Sequence, residues 1–185
     1  MKVTILSIAL AAFSLGACNN SQTSTAKTDQ HPDSSAVTTE GTSVRDITDV
    51  YLQLKNALAE DNGNDAAGAA KKMVEAIGKI NQSAFTSDQK KLYADIEPDL
   101  KENAEHISEN SDKLEHQREH FVMLSNDVAD LIKGFGTGGQ ILYKDFCPMA
   151  NDNKGAIWIS EVKEIKNPYM GKSSPTCGSM KEELK

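Results

Sequence analysis

The stretch KLEHQREHFVMLSNDVADLIKGFG, residues 113 to 136, decides how the chain folds. Leu114, Phe121, Leu124, Val128, Leu131, Ile132 and Phe135 recur three and four residues apart, which puts them on one face of a helix, and Gly134 and Gly136 mark its end. Three stretches upstream repeat the pattern. SVRDITDVYLQLKNALAE (43–60) carries Val44, Ile47, Val50, Tyr51, Leu54 and Leu58, with Ser43 as N-cap. DAAGAAKKMVEAIGKI (65–80) has an alanine-rich stripe through Ala66, Ala69, Met73 and Ile77 that suits close packing. FTSDQKKLYADIEPDLKENAEHISE (85–109) starts at a Thr86 or Ser87 cap and runs through Leu92, Ile96, Leu100 and Ile107, with Pro98 expected to kink or split it. The spacing therefore predicts a mainly α protein, an antiparallel four-helix bundle over 44–136. Met73 and Met123 are expected to fill its core.

After Gly136 the texture changes. Residues 137–185, TGGQILYKDFCPMANDNKGAIWISEVKEIKNPYMGKSSPTCGSMKEELK, hold the only tryptophan and three of the six methionines. They show no sustained helical period. Short extended pieces are expected at 141–143 and 157–159, within an irregular, mixed C-terminal lobe of the same domain.

The opening MKVTILSIALAAFSLGAC has one early cation, Lys2, and an apolar run from Val3 to Leu15. That run falls short of the ~20 residues needed to cross a bilayer, so it reads as a signal peptide over 1–17. Leu15-Gly16-Ala17-Cys18 resembles the bacterial lipobox, which implies lipidation of Cys18. The expected location is the cell envelope: a lipid-anchored protein facing the periplasm, on the outer rather than the inner membrane. Residues 18–43 are rich in Ser and Thr with little to bury, and read as a disordered tether. The net charge of −7 and the absence of a basic patch argue against nucleic acid as a partner.

Cys147-Pro148-Met149-Ala150, Gly155 to Trp158, Asn167-Pro168-Tyr169 with Gly171, and Cys177-Gly178 follow QREHFVMLS in a pattern that resembles a bacterial domain of unassigned function. That domain stands alone on lipoproteins, or at the end of periplasmic adaptor subunits of heavy-metal (copper/silver) efflux pumps. The resemblance covers about residues 46 to 180 and implies an accessory role in extracytoplasmic copper handling. The partner implied is a heavy-metal efflux pump or another periplasmic protein. Members commonly carry an aromatic after Asn-Pro-Tyr and a methionine before Cys-Gly. Here Met170 follows Tyr169, and the later place reads Ser173-Ser174-Pro175, so Met170 or Met180 must substitute if that methionine is a ligand.

Two readings of the cysteines compete. Thiolate and thioether donors favour Cu(I) or Ag(I), with Cys147, Met149, Cys177 and Met170 as the set and Met180 as an auxiliary close to the chain end. Alternatively, Cys147 and Cys177 form a disulfide across a loop of about thirty residues, stabilising by about 3 to 4 kcal/mol in the chain-entropy model. The chain would then be a non-catalytic structural or interaction module, packed by Trp158 and Tyr169. A second possible site is His116 with His120, one turn apart on a helix and able to hold Zn(II) or Cu(II) with further ligands. His106 lies on a different helix and adds little. Among hydrolase, phosphate-loop and zinc-protease motifs none is present, and Cys-Pro-Met-Ala lacks the second cysteine of an exchange motif, so no enzyme activity is expected.

Overall fold

The computed structural model describes residues 43–185; the signal segment, Cys18, His31 and the expected tether up to residue 42 lie outside the described residues. Helix α1 spans Val44–Ala59, α2 Gly63–Gly78, α3 Ser87–Glu109 and α4 Leu114–Phe135. Three of the four starts have a side-chain cap. Ser43 and Asp46 form a reciprocal capping box, Asn62 accepts the Asp65 N–H at 3.1 Å, and Thr86 pairs with Gln89 in a second box. Gly136, at φ 81°, closes α4 by donating to Ile132.

Helix α3 runs unbroken through Pro98, contrary to the expected split. A proline removes the hydrogen bond to the carbonyl four residues back, here Ala94, and both residues are exposed, so water can serve that carbonyl. Met73 is fully buried, but Met123 is 46% exposed, so only one of the two methionines fills the core. The helices pack in chain order, α1 on α2, α2 on α3 and α3 on α4, and α1 also touches α4. Leu54, Leu58, Met73, Leu100, Ile107, Phe121 and Leu124 are inaccessible to solvent between them.

The lobe expected to be irregular is a small antiparallel sheet in the order β2-β1-β3. Strand β1 is Leu142–Cys147, β2 is Ala156–Ser160 and β3 is Ser179–Leu184. No helix among the described residues is long and apolar enough to cross a membrane. Strand β2 lies against α4 and α1. Trp158 and Ile159 are completely buried there, and the Tyr51 hydroxyl accepts the Ile159 N–H at 3.1 Å. Tyr51 stacks on Phe121 with ring centroids 5.2 Å apart, Phe121 meets Tyr169 at 5.6 Å, and Tyr169 meets Trp158 at 6.0 Å. This aromatic row joins helices and sheet in one core. Lys55 reinforces the joint: its buried ammonium pairs with Glu161 at 2.9 Å, although burial lowers its proton affinity.

Candidate functional site

Cys147 is the last residue of β1, and its side chain is 0% exposed. Cys177 sits just before β3 and is half-buried. The fold brings these two together, but both are free thiols, so the disulfide expected for Cys147 and Cys177 is not formed. They lie close enough for each to shift the proton affinity of the other. Burial raises the Cys147 thiol, yet hydrogen bonds to its sulfur from Cys177, the backbone of Met149 and Ala150, and Asn167 outweigh it, leaving Cys147 below the ordinary cysteine range. Its partner moves the other way, since a proton given to the Cys147 sulfur is held more tightly by Cys177. The pair is therefore asymmetric, with Cys147 giving up its proton more readily than Cys177.

Asn167 organises this arrangement. Fully buried, it donates from Nδ2 to the Cys177 carbonyl at 2.7 Å and accepts the N–H groups of Tyr169 and Met170 at 2.8 and 3.0 Å. The Asn-Pro-Tyr-Met turn is in turn fastened to the helices by Arg118 of α4. Its Nε donates to the Pro168 carbonyl at 2.9 Å, and its Nη2 reaches the Leu58 carbonyl at 3.1 Å and the Asp61 carboxylate. The bond from Arg118, with a second from the Lys172 N–H, holds the Asp61 carboxyl below the usual range.

Two glycines are required by close approach. At Gly171, φ 52°, a Cβ would lie 1.8 Å from Asp61 Oδ1, and at Gly178, φ 129°, it would lie 2.8 Å from the Phe146 carbonyl oxygen. Met149 and Met170 line one open cavity of about 300 Å³ together with Tyr169, Arg118, Glu115 and Glu119. Met149 is 55% exposed and Met170 half-buried. The turn after them, Asn151-Asp152-Asn153, holds three successive left-handed backbones, which Asn and Asp tolerate better than other non-glycine residues. Met180 does not join this group: it lies in β3, paired with Asp145 of β1, and is 36% exposed. The sequence reading missed Asp145, which is fully buried, two residues before Cys147. Neither of its carboxylate oxygens has a hydrogen-bond partner among the described residues, and burial raises its pKa to about 6.

The histidines lie elsewhere, where α3 faces α4. His116 and His120 are side by side as their spacing requires, with ring centroids 4.6 Å apart. His106 of α3, which the spacing within α4 gave no reason to include, stacks on His120 at 4.2 Å with planes 4° apart. One nitrogen from each of the three lies within 4.8 Å of the others. Asn103 Oδ1 sits 2.9 Å from His120 Nδ1, and Glu119 Oε2 sits 3.3 Å from His116 Nδ1. Burial lowers the pKa of His120, and the other two imidazoles lower it further.

These features describe a small, mainly helical protein in which an appended three-stranded sheet holds a pair of neighbouring free thiols. The chain belongs to the family described as a protein of unknown function (DUF3347), which matches residues 47–140. That span takes in α1 from Ile47 on, the whole of α2, α3 and α4, and the three histidines, and ends before β1, so the thiols and their methionines lie beyond it. No curated protein and no solved structure matches the chain.

Proposed function

We propose that this protein binds a soft monovalent cation, Cu(I) or Ag(I), through Cys147 and Cys177, and holds it at the cell envelope for efflux or transfer. The observation that carries the reading is the thiol pair: two free, neighbouring sulfurs, one with its proton affinity lowered and the other partly open to solvent. A soft ion bridges both sulfurs, which are the donors such ions prefer. Met149 and Met170 border the neighbouring cavity and supply thioether donors near the ion's route in, while the fully buried flank of Cys147 keeps water from one side.

On this reading the four helices form an antiparallel bundle that serves as the mount, and the lipid at Cys18 tethers it to a membrane on the periplasmic side. No catalytic step is involved. The partner is a periplasmic acceptor of soft metal, for which an efflux pump is the expected candidate from the resemblance of the Cys-Pro-Met-Ala and Cys-Gly segments. The competing structural-module reading draws on the same two cysteines but needs them bridged, and both are free.

Titration of the reduced mature protein with Cu(I) against a chromophoric chelator tests the proposal. One equivalent should be retained, and Cys147→Ser or Cys177→Ser should each abolish retention. Equal retention by the serine variants would contradict it.

A further inference from the structure

We infer that His106, His116 and His120 form a second metal site, separate from the thiol pair, that takes a borderline divalent cation such as Zn(II). An i, i+4 histidine pair on one exposed helix is common, and two imidazoles make a weak site. The third imidazole changes this, because it comes from a different helix and brings a nitrogen of each ring within 4.8 Å of the others. The chemistry of the donors is uniform. Three neutral imidazoles with an open fourth position match what Zn(II) uses when three protein ligands hold it and water or a carboxylate completes the tetrahedron.

The orientation of the rings adds to the argument. Asn103 Oδ1 and Glu119 Oε2 are acceptors facing the Nδ1 atoms of His120 and His116, so both rings carry their proton on Nδ1 and present the Nε2 lone pair. A second-layer acceptor that fixes the tautomer is the usual companion of a ligating histidine. Glu102, 4.0 Å from His106 Nε2, adds negative charge beside the cluster. With bonds of ~2.0–2.1 Å, a tetrahedral ion holds its nitrogens roughly 3.4 Å apart, so the ring nitrogens must close by up to roughly 1.4 Å. The stacked rings of His106 and His120 must also tilt out of parallel. Both movements need only side-chain rotation, and the side chains of His106 and His116 are 45% and 36% exposed and free to make them.

The site does not rest on the thiol reading, and the test keeps the two apart. Zn(II) chloride is titrated into the full mature chain while long-range ¹H–¹⁵N spectra report each imidazole. The expected result is a saturating shift of one nitrogen in each of His106, His116 and His120, with His31 unmoved. His106→Ala, a change at a half-exposed ring, should weaken Zn(II) by at least about tenfold without changing the thermal midpoint of the metal-free protein. Shifts confined to His116 and His120, or affinity unchanged in His106→Ala, would overturn the three-histidine site. So would capture of Zn(II) at the cysteines with no imidazole shift. Ag(I) binding at Cys147 and Cys177 is read separately, by loss of thiol reactivity, and stands or falls on its own.

Discussion

In the helical body, position is decided by many equivalent contacts: Leu54, Leu58, Met73, Ile107 and Leu124 belong to long apolar stripes, and any one of them is a minor share of the burial. In the segment from 137 onward, the place of Cys177 depends on a handful of directed bonds from Arg118 and Asn167 and on glycines where no side chain fits. Burial is non-directional and scales with area, so its loss is graded. A buried polar network loses its geometry when one member is removed. The two regions should therefore respond differently to mutation, and the thiol site should inherit the fragility of the second.

The sharpest break is expected at Gly171→Ala. The added carbon cannot coexist with the Asp61–Arg118 pair, and the left-handed backbone disfavours it as well, so the turn should undock at a cost of about 3 kcal/mol or more in thermal or chemical unfolding. A loss below about 1 kcal/mol would mean that the turn is not seated on that pair. Asn167→Ala comes next, at about 2–3 kcal/mol, because it orphans the Cys177 carbonyl and two N–H groups. It should also raise the Cys147 thiol toward the ordinary range. The pH profile of thiolate ultraviolet absorbance would show this, and an unmoved profile would remove Asn167 from control of the site.

Ile107→Val, deep in the body, should cost only about 1 kcal/mol and leave the thiol profile untouched. The smallest effect is expected at Asp127. Burial, with Asp99 and Asp130 nearby, raises its pKa to about 6. A raised carboxyl favours the folded state fully below the ordinary value of 3.8, and that contribution is lost as pH rises through about 6. Asp127→Asn should thus raise the unfolding midpoint at pH 8 and leave it unchanged near pH 3. After solvent screening the gain at pH 8 is about 1 kcal/mol or less. An equal effect at both pH values would show that charge is not the cause.

The helices were legible because their apolar residues keep a 3.6-residue period and their caps are local: Ser43 and Thr86 stand where the sequence places them. The sheet was not legible in the same way. Strand β1 buries a charged residue, Asp145, and has a register irregularity between Lys144 and Asp145, while β3, SMKEEL, is a charged edge strand with no apolar alternation. Period-based reading has nothing to find there. Of the residues proposed to hold soft metal, Cys147, Cys177, Met149 and Met170 stood out by residue type. Their mutual placement came from Asn167 and Arg118, which are ordinary in sequence and specific only once folded. His106 was passed over for a simple reason: spacing within a helix shows what lies one turn away and says nothing of what the next helix brings opposite.

The most direct test of the thiol account is alkylation of the folded, mature protein followed by mass measurement, before and after one equivalent of Ag(I). The account predicts that Cys177, the half-buried thiol, is alkylated without silver and protected with it, while the fully buried Cys147 reacts only once the protein is unfolded. No alkylation in either case, reversed only by reductant, or Cys177 alkylated to the same extent with and without silver, would contradict a soft-metal site built on this pair.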